Sequence, residues 1–323
     1  MIKVVHQNLF TLDVDAIVNS ANVSLLAGSG ICGVIHKNAG KALEDYCKTI
    51  GKQEYGSAVL TPSFNLSPIC DYIIHACGPR YLDGKRGEAE LLALTHTSII
   101  NVAIENNLKS IVIPPISTGV YRFPVEQAAS IAINSVAQAL TASNSDMDVY
   151  FAMKDADKFH VYHEALLKYQ FLERYQNRLP SELLTPYFET LFICDHHSDS
   201  PLQFGHFSQA WHEVFETQDI HSLCVITAYN PFSQQDNQDD NETRQQRLHE
   251  MLVNDGFTVL KGLGTSQDRQ WQEPSYFVMN MDKLQLTHYL VEFEQTGGVW
   301  MDKQAIPELI LHPSLMSNTG TIR

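Results

Sequence analysis

The sequence predicts an α/β protein: a three-layer α/β/α unit on a mixed, largely parallel sheet, followed by a second, smaller α/β or α+β unit. Three observations predict it. Short apolar runs of strand length alternate with segments of helical period from the N-terminus to about residue 175. The alternation pauses at "NRLPSELLTP", which carries two prolines among polar residues, and then resumes. A chain of 323 residues that is 44% hydrophobic is also long enough for two cores rather than one. In order, "KVV" and "DAIVNSA" read as strands and "CGVIHKNAGKALEDYCKTIG" as a helix that closes on glycine. "YIIHACGP" is a strand, "AELLALTHTSIINVAIENN" a helix, "SIVIPPIS" a strand, "PVEQAASIAINSVAQALT" a helix opened by proline, and "DVYFAM" a strand. "KFHVYHEALLKYQFLERYQ" closes the unit. Beyond the prolines, "TLFICD", "LCVITAYNP", "FTVLKGLG" and "PSYFVMNM" read as strands, with helices over "NETRQQRLHEMLVNDG" and "KLQLTHYLVEFEQTG". The expected organisation is a first domain over 1–175, a linker over 176–187, a second domain over 188–312 and a tail over 313–323.

Charge and cysteine usage exclude several function classes. A net charge of −15 argues against sequence-independent nucleic-acid binding and against an anionic membrane surface, so an anionic ligand must be met by local dipoles and amides. No apolar stretch approaches membrane-spanning length and the N-terminus "MIKVVHQNLF" lacks a secretory pattern, so a cytoplasmic location is expected. Six scattered cysteines without a CxxC pair point to reduced thiols, with neither a disulfide framework nor a zinc knuckle. No cofactor and no metal are expected, and the oligomeric state is not encoded legibly.

In sheets of this kind ligands sit beyond the carboxyl ends of the strands. Two loops stand there. "VSLLAGSGICG" leads from a strand into a helix, and its glycines let the backbone approach a phosphate at the helix N-terminus. "PPISTGVYRFP" does the same after a later strand, and together the loops form a clamp for two phosphates.

"DAIVNSANVSLLAGSGICGVIHKNAG", "IIHACGP" and "IPPISTGVYRFPVEQAA" resemble the macrodomain, the ADP-ribose-binding module of pattern DxIVNxAN, GGGG-xx-G, IHxxGP and PxISTGxYG, over roughly residues 1–172. The resemblance implies a ligand cleft across the top of the sheet. It places Asn8, beside Leu9, where an aspartate usually takes the adenine amino group, and Asn22, beside Ala21, at the distal ribose and the reactive water. It assigns the first phosphate loop to Gly28, Ser29, Gly30, Ile31, Cys32 and Gly33. It assigns the second to Ser117, Thr118, Gly119 and Val120, with Tyr121 over the distal ribose and Phe159 against the adenine. Cys32 stands where hydrolytic members carry an aspartate, and a thiol is no carboxylate base unless ionised. The plainer readings are a turn asparagine at 22, a packing cysteine at 32 and a core phenylalanine at 159. His36, one turn after Cys32, could pair with it or simply pack, and His75 reads as a structural strand-end residue.

The second unit resembles a bacterial family of uncharacterised domains through "VITAYNP", "NETRQQRLHEML", "KGLG" and "WQEPSYFV". Asn241 and Arg244 would share a helix face, and Trp271, Glu273 and Ser275 one side of a strand. Such a group could recognise a nucleotide or lock a core. His196 and His197 in "DHHSDS" lack a third ligand for a metal. Two functions follow: an enzyme that cleaves an ADP-ribosyl linkage or deacetylates O-acetyl-ADP-ribose, with Asn22 and Cys32 as its catalytic candidates, or a non-catalytic reader of ADP-ribose coupled to a second nucleotide- or partner-binding domain.

Overall fold

Runs that are apolar at every position, such as "AIV" over 16–18 and "IVI" over 111–113, need cover on both faces of a sheet. The computed structural model supplies it. It describes residues 1–316, so 317–323 of the expected tail lie outside the described residues. The chain divides into two units, Met1–Tyr169 and a second from Gln170 onward.

The first unit contains β1 (Ile2–Val5), β2 (Ala16–Ser20), α1 (Gly30–Ala39), α2 (Lys41–Ile50), β3 (Ala58–Pro62), β4 (Tyr72–Ala76), α3 (Glu88–Glu105), β5 (Ser110–Ile113), α4 (Val125–Ala142), β6 (Asp148–Ala152) and the start of α5 (Ala156–Tyr175). Its sheet has the order β1-β6-β5-β2-β4-β3, parallel except for β3 against β4. Alternate residues bury opposite faces: Ala16, Val18 and Ile74 join Leu92, Ile99 and Ile133 of α3 and α4, whereas Ile17 and Ile73 join Ile35 and Leu43 of α1 and α2. This is the three-layer arrangement expected. The strand order reverses at β2, so the loops leaving β2 and β5 lie side by side at the carboxyl edge.

Two differences from the sequence reading have local causes. The helix expected over 32–51 is two helices, because Gly40 takes a φ of +86° and caps α1 by donating its N–H to the His36 carbonyl at 3.0 Å. A side chain there would meet Asn65 Nδ2 at 2.5 Å. Strand β3 was not foreseen, being a short antiparallel edge that ends on Pro62.

The second unit contains α6 (Ser181–Glu189), β7 (Leu191–Cys194), α7 (Gln209–Thr217), β8 (Ser222–Ile226), α8 (Gln238–Asn254), β9 (Thr258–Thr265), β10 (Gln272–Met279), α9 (Lys283–Glu292), β11 (Gly297–Asp302), β12 (Glu308–Leu311) and α10 (Pro313–Met316). The sheet order is β12-β11-β8-β10-β9-β7, with every pairing antiparallel. Leu248, Leu252, Leu286 and Leu290 of α8 and α9 cover one face. On β10, Phe277 stacks on Trp211 of α7 at 6.0 Å. Helix α6 begins within the stretch expected as linker: Pro180 is its N-cap and Pro186 sits inside it. Helix α7 and strands β11 and β12 also went unforeseen, and α10 occupies part of the expected tail.

Candidate functional site

A cleft of about 790 Å³ opens at the carboxyl edge of the first sheet. Asn8, Leu9, Asn22, Gly28, Ser29, Gly30, Ile31 and Cys32 line it on one side, and Ser117, Thr118, Gly119, Val120 and Tyr121 on the other. The first turn of α1 faces it, and helix N-terminal amides have no intrahelical acceptors. Gly30, at φ +62°, has open space where a Cβ would be, as does Gly119, so backbone rather than side chain borders the cavity at both points. Gly33 lies behind: a Cβ there would stand 2.3 Å from the Gly28 carbonyl oxygen, so this glycine seats α1 on the loop.

The second loop is held in an unusual shape. Ser117 has φ +62°, a left-handed conformation that a serine adopts at a cost, and its Oγ is buried with no hydrogen-bond partner. Gly78, from "IIHACGP", makes room for it: a Cβ at 78 would lie 2.4 Å from Ser117 Oγ. The loop closes through Arg122 N–H to the Gly119 carbonyl at 2.9 Å and Phe123 N–H to the Ser117 carbonyl at 3.0 Å.

Asn22 and Cys32 are both occupied. Asn22 Nδ2 donates to the Leu26 carbonyl at 2.7 Å, and its Oδ1 accepts from Ser24 N–H at 3.1 Å and from Ser24 Oγ at 2.5 Å. The amide therefore braces the glycine loop before α1 as a turn asparagine does. Cys32 is 5% exposed, its Sγ donates to the Leu26 carbonyl at 3.6 Å, and burial raises its pKa above the ordinary thiol value. It is a neutral thiol at pH 7. Asn8 accepts from Phe10 N–H at 3.3 Å and caps the short turn Leu9–Thr11.

Three expected ligand contacts lie elsewhere. Ala21 is buried with its N–H on the Ala76 carbonyl, Gly33 backs the loop, and Phe159 stacks between His6 and His163 at 5.3 and 5.6 Å rather than lining the cleft. In their place the cleft receives Arg80, Lys154, Asp155 and Lys158, which sequence reasoning missed. Lys158 Nζ donates to the Thr118 carbonyl at 3.4 Å and to its Oγ1 at 3.3 Å, and the Arg80 guanidinium sits 5.2 Å over the Tyr121 ring. The only available signal was the position of Lys154 just past the carboxyl end of β6 and of Lys158 in the first turn of the helix that follows.

In the second unit, Asn241, Arg244 and Glu273 come together through two residues not singled out. Asn241 Oδ1 accepts from Asn230 N–H at 2.8 Å, and its Nδ2 donates to Asn230 Oδ1 at 3.0 Å. Asn230 Nδ2 donates to Glu273 Oε1 at 2.5 Å, and Arg244 pairs with Asp236. Trp271 stands apart beside Gly264, half-exposed. Asn230 was legible only as part of "TAYNP", and Asp236 lay hidden in a polar loop. Of the two histidines in "DHHSDS", His197 packs on the Trp211 ring at 4.8 Å.

Comparison with known proteins agrees with this geometry. The Macro domain family model matches residues 18–132. A macro domain-containing protein of Cupriavidus necator is 40% identical over 169 residues, 51% of this chain and 96% of that protein. The chain belongs to the macrodomain family. An O-acetyl-ADP-ribose deacetylase of Salmonella gallinarum is 41% identical to the macrodomain over 165 residues, 50% of this chain and 91% of that protein. The Oceanobacillus iheyensis macrodomain with ADP superposes with a TM-score of 0.50 at 31% identity, covering 53% of this chain and 92% of that one. Outside the macrodomain, residues 226–297 match the model described as Protein of unknown function (DUF3293). Among the described residues no helix is long and apolar enough to cross a membrane.

Proposed function

We propose that the chain binds ADP-ribose, free or as a conjugate, in the macrodomain cleft, and that it acts chiefly as a reader in the cytoplasm. The observation that carries the reading is the pair of adjoining loops, with Gly30 and Gly119 bare toward the cavity and Ser117 Oγ buried and unpartnered between them. A diphosphate meets the positive end of α1 and its first amides, while Ser117 donates to a phosphate oxygen. Arg80, Lys154 and Lys158 supply the local positive charge that a chain of net charge −15 otherwise lacks.

The same geometry speaks against fast turnover. Asp155 is the only carboxylate among the described residues lining the cleft, the Cys32 thiol is neutral, and the Asn22 amide is engaged by its own loop. A second reading, slow hydrolysis of an ester such as O-acetyl-ADP-ribose by a ribose-bound water, is favoured by the deacetylase relatives. Calorimetric titration with ADP-ribose, followed by incubation with O-acetyl-ADP-ribose, separates the readings. Saturable binding without acetate release supports the reader, release that Asn22→Ala suppresses supports the enzyme, and no binding overturns both.

A further inference from the structure

Behind the first loop, on the α1–α2 face of the sheet, three groups with no part in the cleft converge. His36 of α1, Cys47 of α2 and His75 of β4 are all buried, and one donor atom from each lies within 4.8 Å of the other two. Cys47 Sγ is 3.9 Å from His75 Nε2, and the two imidazole rings meet edge-on with centroids 6.0 Å apart. Both ring nitrogens of His36 are buried without a hydrogen-bond partner, an arrangement that costs free energy unless something else satisfies it.

We propose that His36, Cys47 and His75 form a trigonal site for a soft monovalent cation, Cu(I). Thiolate and imidazole are the donors such an ion prefers. Metal–donor bonds of about 2.0–2.3 Å at trigonal angles set donors about 3.5–3.8 Å apart; the Cys47–His75 pair is at 3.9 Å and all three donors lie within 4.8 Å, so the site needs only a modest contraction. Charge decides the class of ion. One thiolate and two neutral imidazoles around Cu(I) make a neutral complex, whereas a divalent ion would leave a net positive charge among Ile17, Ile35, Leu43 and Ile73 and would call for a fourth ligand. Another polar atom beside His75 Nε2 is Thr61 Oγ1 at 3.1 Å, a hydroxyl oxygen that suits a harder ion.

Loading needs one proton to leave and one hydrogen bond to reverse. The Cys47 S–H proton passes to solvent as the S–Cu bond forms, and the metal keeps its oxidation state. His75 Nε2 must be bare, so its proton moves to Nδ1, which faces the Asn19 amide at 3.0 Å. Asn19 Oδ1 is buried without a partner, and turning the amide gives that proton an acceptor. The Oδ1 thus gains a partner while Nδ2 gives up His75 Nδ1 and Cys32 Sγ, so the amide exchanges one contact for another as the ion enters.

The test uses the full chain, anaerobic and reduced, with Cu(I) supplied in the presence of bathocuproine disulfonate as competing chelator. Copper retained after desalting is counted, and its ligands are read by X-ray absorption. One equivalent per chain on one sulfur and two nitrogens is expected, lost in Cys47→Ser and in His36→Gln and kept in Cys77→Ser. His36→Gln decides the matter alone if Cys47→Ser fails to melt cooperatively. Copper retained by either variant, coordination by several sulfurs, no retention, or preferential uptake of Zn(II) would each overturn the proposal.

Discussion

The loop after β5 and the loop after β8 treat their polar side chains in opposite ways. At the carboxyl edge of the macrodomain sheet, Ser117 Oγ has no partner and the glycines at 30 and 119 leave space beside the backbone. In the second unit, the loop after β8 carries equally unusual backbone, with Asn230, Phe232 and Ser233 all at positive φ. There, however, Asn230, Asn241 and Glu273 satisfy one another and Asp236 pairs with Arg244. Unusual backbone with polar groups left open indicates a place for a ligand; the same backbone with the groups closed on one another indicates a lock.

Substitutions can break that contrast. The largest effect is expected for Asn241→Leu, which strands the Asn230 amide and removes three bonds: about 2 kcal/mol of stability should be lost from the second unit. All three tryptophans, Trp211, Trp271 and Trp300, lie in that unit, so a fluorescence-monitored denaturant titration reads it selectively, and ADP-ribose affinity should not change. Ser117→Ala should do the reverse. Affinity should fall about tenfold, the worth of about one charge-assisted hydrogen bond of 1.4 kcal/mol, with stability held or raised because an unpaired buried hydroxyl is gone. A loss of stability with unchanged affinity would make Ser117 a structural residue.

Acid and base should also separate the units. Burial lowers the folded pKa of His75 to about 3 and of His96 to about 4, so their contribution is present above their ordinary value and lost as pH falls from about 6.5. Burial raises Glu273 above the ordinary carboxylate value; its contribution is present at low pH and lost as pH rises through the raised value. Hydrogen exchange resolved by segment should show the macrodomain loosening first in acid. Glu273→Gln should flatten the loss that accompanies rising pH above the ordinary carboxylate range, in the second unit alone. The smallest change is expected for Lys158→Met, a loss of less than about 1 kcal/mol in ADP-ribose affinity that vanishes at high salt.

The macrodomain loops were legible because glycines and a serine-threonine turn at strand ends carry their geometry in the residue type itself. Lys158 was not, since its approach to Thr118 spans forty residues of sequence and depends on where α5 lands. That Phe159 packs against His6 and His163, outside the cleft lining, was not legible for the related reason that a helix periodicity does not say which neighbour fills a face. In the second unit the strands "LCVITAYNP" and "PSYFVMNM" were readable as strands, but alternation with helices says nothing of pairing direction, and the sheet is antiparallel throughout. Asn230 and Asp236 escaped because polar loop residues look alike until a fold brings partners to them.

Gly40 does more than divide one helix into two. An unbroken helix would carry residues 36 and 47 on one stripe, about three turns and about 16 Å apart along its axis, with no means of meeting. The left-handed joint folds that distance away and turns a periodicity into a rendezvous around His75. Position 40 therefore sets the interior geometry of this face without supplying a donor of its own, and a residue unable to hold φ +86° there would scatter the three while leaving every one in the sequence.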